Sequence, residues 1–356
     1  MDMFLATHIP PSILWLVFII TAIAVVTTSK LISKYVAGIA EKTKLGGAFL
    51  GAFVLSLVTS IPELINGITT AAIGSTTISY GNVIGVNMMT LTVLVTLDII
   101  FIKKGLFKNI SKSNILTILF VILFNLLLGI ALFFKLPFEI NLGFTKISGW
   151  FLIMFFIYVA FIYYIYKKGD SEDDDNSESS GCENMQLKEV VIKFLICSVV
   201  LISLSVLTAN LADQMALPVD QGGYGLGQAV AGALLLSICT GLPEITSCIS
   251  LSKLGQGNIA VGGIVGSHLF NYLIFFVSDF FYTDSTSLNV YFKNPTEMIS
   301  QQLSSLKVML IMGLILEILL FANVFKKKVN NKFLYAIPCV NIIIIYLTGW
   351  FTGILF

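Results

Sequence analysis

Charge is scarce in this 356-residue chain. Asp, Glu, Lys and Arg together make up 12% of it, against roughly 25% in a soluble chain, too few to cover a water-facing surface of this size. Arginine is missing altogether. All 21 basic residues are Lys, so the planar fork that clamps carboxylates and phosphates bidentately is absent. His-Glu-x-x-His, Gly-x-Ser-x-Gly and a phosphate-cradling Gly-rich loop are also lacking, which argues against metalloprotease, serine-hydrolase and ATP-driven chemistry. The five cysteines (Cys182, Cys197, Cys239, Cys248, Cys339) show no paired metal spacing, and four of them lie in apolar blocks as small apolar residues. A net charge of +1 points to no acidic partner, and nucleic acid is excluded as one.

What the chain has instead is apolar length. Hydrophobic residues make up 56% of it and the mean hydropathy is +0.93. They fall in blocks of about 20, the length that crosses a ~30 Å hydrocarbon core. These blocks run approximately 9–28, 46–74, 79–102, 114–134 and 147–166, then 189–211, 225–254, 258–281, 306–325 and 333–354. Lone strands would leave backbone groups unpaired in lipid, so the blocks predict ten transmembrane helices and an all-α polytopic membrane protein. The apolar run 13–26 leads into Lys30 without a small-residue cleavage pattern, and reads as a retained first helix.

Between the two sets of five lies 167–188, which holds Asp170, Glu172, Asp173, Asp174, Asp175 and Glu178. Its composition predicts a solvated acidic linker; a regulatory cation site is the other reading. Residues 1–166 and 189–356 thus form two transmembrane units. Seventeen of the 21 lysines fall in the odd-numbered loops, which the positive-inside rule places in the cytoplasm, with both termini outside.

Because five is odd, the second unit enters the membrane from the opposite side. The two units are also related in sequence. A shift of 181 residues superposes Gly46, Gly51, Ala52, Ser56, Thr59, Pro62, Glu63, Gly81, Gly85 and Asp98 on Gly227, Gly232, Ala233, Ser237, Thr240, Pro243, Glu244, Gly262, Gly266 and Asp279, without a gap. Such an inverted repeat is how many secondary transporters build a midplane site.

Glu63 and Glu244 sit near the middle of their spans, where a charge costs roughly 2.5–3.5 kcal/mol even on the lenient insertion scale. No lysine lies near either centre, so a cation is the natural partner; a protonated, hydrogen-bonded Glu is the structural alternative. Each follows a Pro, which removes a backbone donor and frees carbonyls around 58–59 and 239–240. Carboxylates, carbonyls and hydroxyls together form the all-oxygen environment that Ca2+ and Na+ prefer. Gly81, Gly85, Gly262, Gly263 and Gly266 allow close helix approach. Thr90, Ser267 and Asn271 lie beyond them, with 267 and 271 on one helical face.

Both repeats resemble the alpha-repeats of the calcium/cation antiporter superfamily, and most closely its sodium/calcium exchanger branch. That family reads Gly-Thr-Ser-Leu-Pro-Glu, followed about twenty residues later by Gly-Asn-x-x-Gly-Ser-x-x-x-Asn/Asp. The likeness is strongest over 46–98 and 227–279. It implies Ca2+ ligation by Glu63 and Glu244 with backbone oxygens of Thr59 and Thr240, and Na+ contacts from Ser60, Ser267 and Asn271, with Thr90 at the position of Asn271 in the first repeat. It implies no cofactor: Ca2+ and Na+, or H+, are cargo. The partners are these inorganic cations and the lipid bilayer, with a monomeric transport unit. The chain departs from the pattern at Val86, Thr90 and Gly241, and the changes at 86 and 241 remove hydroxyls expected to serve Na+.

Four further intramembrane groups stand apart. His268 is either a proton-coupling group or a hydrogen-bonding partner within the bundle. Asp98 and Asp279 near their helix ends suit ion vestibules or interfacial acids equally. Glu317, mid-span without a repeat mate, leaves a proton path or a protonated hydrogen bond open. The reading is a secondary antiporter exchanging Ca2+ for Na+, with H+ as the other counter-ion. An intramembrane aspartyl protease using Asp98 and Asp279 lacks the Gly-x-Gly-Asp context, and a degenerate, non-transporting repeat protein is the remaining class. The all-Lys basic set, the short central loop and the absence of organelle targeting suggest a prokaryotic plasma (inner) membrane.

Overall fold

The computed structural model describes residues 9–43, 45–72, 76–100, 106–107, 110–143, 145–168, 180–216, 219–224, 237–282, 286, 288–289, 292, 297–324 and 332–351. Long helices run through them: α1 (Pro11–Lys42), α2 (Gly47–Thr59), α3 (Ile61–Ala72), α4 (Thr76–Ile100), α5 (Lys112–Phe133) and α6 (Gly149–Lys168). After the central linker come α7 (Leu187–Ala216), α8 (Ser237–Lys253), α9 (Gly257–Phe281), α10 (Glu297–Val324) and α11 (Lys332–Phe351). Seven of these are long and apolar enough to cross a membrane, eight if the bent pair α2–α3 is one span. Residues 225–236, which the hydropathy assigned to the start of the seventh span, lie outside the described residues, as does the acidic run 170–178.

Many large apolar side chains point outward. Ile20, Phe156 and Val199 are 57%, 62% and 65% exposed, a surface that water would not tolerate over such an area and that lipid matches. The polar side chains are inside: Ser56, Thr59, Ser60, Glu63, Thr90, Thr240, Glu244, Ser267 and Asn271 are all buried. This is a membrane protein.

Helix α9 is the axle, 94% buried along its most apolar stretch. Tyr80 of α4 stacks on its Phe275 at 4.2 Å between ring centroids, and Phe151 of α6 leans on the same ring. The start of α9 also fixes α5. Ser111 caps α5 by accepting from the Asn114 N–H, while the Asn258 side-chain oxygen accepts from the Ser111 N–H at 2.8 Å.

Three features differ from the hydropathy reading. Helix α1 runs 32 residues, past the apolar block that ended near 28. At 1.5 Å per residue it is about 48 Å long, and its extra turns are held by packing against α7 and α8 rather than by lipid. The end of the linker is anchored at two points, while Gly181, Glu183, Asn184 and residues 186–188 stay exposed. Ser180 donates from its N–H and hydroxyl to the two Glu41 carboxylate oxygens at 2.8 and 2.6 Å, and Cys182 is fully buried against Gly38.

Third, a two-stranded antiparallel hairpin, β1 (Glu139–Asn141) and β2 (Lys146–Ser148), precedes α6. Asp279 of α9 anchors it, accepting from the Ser148 N–H at 2.7 Å. Asp279→Ala leaves that buried donor unpaired, which costs about 1–3 kcal/mol; a lower melting temperature and faster proteolysis of 134–148 are the expected readouts.

Candidate cation site

Span two breaks where the sequence places proline. Pro62 has no N–H to offer the Val58 carbonyl, and its ring crowds that carbonyl. The backbone leaves helical geometry at Ser60 (φ −99, ψ 4), and α2 meets α3 at 44°. Before the break, α2 is already underwound into a π-helical stretch over Leu50–Leu55. Glu63 falls in the first turn of α3, where the helix dipole favours a carboxylate. Helix α8 differs, because it carries Pro243 in its interior without breaking. There the missing N–H still deprives the Cys239 carbonyl of its helical donor.

The break in span two meets the unbroken turn of α8 around Pro243. Ser60 Oγ donates across the repeats to Glu244 Oε1 at 3.0 Å. Thr240 lies beside Glu63, and Ser267 beside Glu244. Glu63 and Glu244 are 0% and 3% exposed, and they are close enough to repel each other. Both Glu63 carboxylate oxygens, Glu244 Oε2 and Thr240 Oγ1 have no hydrogen-bond partner. Thr59 is spent locally, its hydroxyl donating to the Leu55 carbonyl at 3.1 Å. Ser267 Oγ likewise donates to the Ile264 carbonyl at 3.0 Å.

The two carboxylates are unequal, and the sequence explains the difference. Glu244 has the hydroxyls of Ser60 and Ser267 at hand. By the 181-residue relation, the mates of those two serines are Gly241 and Val86, neither of which carries a hydroxyl. By that relation both departures correspond to the Glu63 side, and neither Glu63 oxygen has a hydrogen-bond partner.

A polar network lies next to this pair. Asn271 donates from Nδ2 to Asn87 Oδ1 at 2.8 Å, leaving Asn271 Oδ1 without a partner. His268 Nε2 is 2.8 Å from Thr90 Oγ1. The Thr90 hydroxyl proton goes to the Val86 carbonyl at 2.9 Å, so the tautomer with the proton on Nε2 fits. Sequence reasoning passed over Asn87, whose one signal is that it is the repeat mate of His268. Asn125 was passed over too, although it is a lone amide within an apolar run; its Nδ2 is 3.2 Å from both Glu317 carboxylate oxygens. Asp98 and Asp279 are buried, at 1% and 0% exposure.

Among the described residues no three His, Cys, Asp or Glu side chains converge as a metal cluster. A cation here would be held by two carboxylates and neutral oxygens, which is a hard-cation donor set.

A bundle of apolar-faced helices around buried acids and amides defines a membrane transport protein for cations. The chain belongs to the sodium/calcium exchanger protein family, whose profile matches residues 13–167 and 190–355. It is 24% identical over 234 residues to the uncharacterized membrane protein MJ0091 of Methanocaldococcus jannaschii, covering 65% of this chain and 69% of that one. It is 22% identical over 231 residues to the inner membrane protein YrbG of Escherichia coli, covering 63% and 66%. A structure of the sodium-calcium exchanger NCX_Mj soaked with 10 mM Na+ superposes with a TM-score of 0.67 at 17% identity, over 95% of this chain and 98% of that one.

Proposed function

We propose that this protein is a secondary antiporter that exchanges Ca2+ for Na+ by alternating access at a site between two inverted repeats. The observation that carries this reading is the pair Glu63 and Glu244, both buried and close enough to repel each other, with three of four carboxylate oxygens unpartnered. Two adjacent negative charges in a low-dielectric core are expensive, and a divalent cation removes both. Thr59 and Thr240 backbone oxygens complete the Ca2+ ligands; Ser60, Ser267, Asn271 and Thr90 serve Na+. The profile's two matches, one per half, support two repeats of five helices each, with 167–188 as the connection. The lysine bias supports cytoplasmic odd loops and outside termini, in a prokaryotic inner membrane.

Only a charge-compensated site crosses between inward-open and outward-open states cheaply, which enforces exchange over leak. With two acids, at least two monovalent ions replace one Ca2+. Helices α1 and α7, packed on each other at the edge of the bundle, are the pair that slides against the rest.

A second reading has H+ as counter-ion, because the Glu63 side lacks the hydroxyls that Gly241 and Val86 displace. Radiolabelled Ca2+ uptake into proteoliposomes under an outward Na+ gradient, compared with an outward H+ gradient, separates the two. Uptake driven by Na+ alone supports the exchange proposed; uptake driven by H+ alone replaces it. Gly241→Ser sharpens the comparison. A Cβ at Gly241 meets the flexible Met89 methyl at 2.5 Å, which can swing aside. The new hydroxyl would supply Glu63 with a charge-assisted bond of about 1.5–3 kcal/mol. A severalfold lower half-saturating Na+ concentration is the expected result, read from initial rates across a Na+ titration.

A further inference from the structure

Glu317 lies within the apolar span Leu306–Val324 of α10, 3% exposed, away from the Glu63–Glu244 pair. Its carboxylate receives one amide, Asn125 of α5, shared between both oxygens at 3.2 Å. Among the described residues no Lys or His reaches ion-pair distance of it; Lys307, ten residues earlier on α10 and so about 15 Å along the axis, lies over the Phe133 ring. A bare carboxylate this deep, with one neutral donor, is not stable as an anion. Beside it is a cavity of about 10 Å³ lined by Asn87, Met88, Asn125, Tyr272, Gly313 and Leu316 among others, with room for about one water.

Asn87 belongs both to this cavity and to the network at the exchange site, where its Oδ1 holds Asn271 and its Nδ2 faces the His268 carbonyl at 3.5 Å. A charge on Glu317 would attract the Asn87 amide hydrogens toward the cavity that both residues line, away from that carbonyl, and so disturb Asn271.

We infer that Glu317 is a proton-binding site built into α10, kept neutral by its proton and linked through Asn87 to the exchange site. The amide that Asn125 turns to the carboxylate is a donor, not an oxygen ligand, and a cavity of one water cannot supply the five or more oxygens that a metal ion needs; both favour H+ over Na+. The ionisable groups on the packed helices are few. Tyr272 of α9 lines the cavity, and His268, one turn away, is bonded to Thr90. Asp98 of α4 lies three turns beyond Asn87 along its helix. Lys112 stands at the start of α5, and Cys339 and Tyr346 are on α11.

The test uses the full chain. Infrared spectroscopy of the purified protein with saturating Ca2+ is expected to show a protonated carboxyl carbonyl band at neutral pH that Glu317→Gln removes. Asn125→Leu, which deletes the one donor, should move the band to higher frequency and guards against a Gln variant that fails to fold. In proteoliposomes, wild-type Ca2+ uptake is expected to fall on the alkaline side as Glu317 loses its proton, and Glu317→Gln to flatten that limb. A band unchanged in Glu317→Gln overturns the proton site. So does a wild type without the band whose Glu317 signal shifts with Na+, which would make it a metal-ion site. A lost band with an unchanged alkaline limb overturns the link through Asn87. If the wild type transports no Ca2+ at all, the antiport reading fails while the infrared result still decides Glu317.

Discussion

Glu63→Ala and Glu244→Ala are each expected to abolish Ca2+ uptake while leaving a folded protein. The site holds two buried carboxylates close enough to repel each other, three of whose four oxygens have no hydrogen-bond partner. Removing either leaves a single negative charge to meet a divalent ion, so that Ca2+ binding would bury a net positive charge in the membrane. Breaking a buried charge pair costs about 3–5 kcal/mol, which is roughly a hundredfold to several thousandfold in affinity. Neither residue makes a contact on which the bundle depends: Glu63 has no hydrogen-bond partner and Glu244 has one, the Ser60 hydroxyl.

Stability separates this role from a merely structural one. A ligand that binds the folded state at a hundred times its Kd adds about 2.7 kcal/mol, so Ca2+ is expected to raise the melting temperature of the wild type and not that of either variant. Without ions the order reverses for one acid. Glu63 is the unpartnered one, and Gln in its place removes a buried charge that repels Glu244. Glu63→Gln should therefore melt above the wild type in ion-free buffer, and Glu244→Gln should gain less. A Ca2+-induced melting shift that survives in both variants would sink the two-carboxylate site.

Much of this was legible in the sequence because lipid makes simple demands. Apolar length marks a crossing, so α4, α5, α6 and α9 lie close to their hydropathy blocks, and the Pro62 break falls where the missing donor requires it. Pairing Glu63 with Glu244 needed the repeat as well as the hydropathy. What hydropathy cannot register is contact between protein segments. It ended α1 near 28, because Lys30 and Lys34 look like an exit to water, whereas packing on α7 and α8 carries the helix to Lys42. It read Ser180 and Cys182 as solvated, although Glu41 offers Ser180 two acceptors and Gly38 makes room for Cys182. Pro243 looks the same as Pro62 on paper, yet α8 passes through it unbroken. Asn87 and Asn125 are single amides without a motif, and only the fold brings them to Asn271 and Glu317.

Gly266→Ala is expected to be the most damaging of the small substitutions, and the argument rests on where its methyl would go. An added Cβ at 266 would lie 2.3 Å from Ala52 Cα and 2.5 Å from the Ala52 carbonyl oxygen. The opposing position, Gly51, would place its Cβ 2.5 Å from the Ile259 carbonyl and 2.8 Å from the Gly263 N–H. Backbone meets backbone on both sides, so no rotamer relieves the clash and α2 must separate from α9. Overpacking a tight core costs about 1–3 kcal/mol, and more where nothing can yield. The separation also reaches the site, since Ser267 follows Gly266 and Thr59 ends α2. Gly266→Ala should lower the melting temperature and reduce uptake in whatever fraction folds. Gly129→Ala is the matched control: no described atom lies within 4 Å of its added methyl, and exchanging an interior helical Gly for Ala gains up to about 1 kcal/mol.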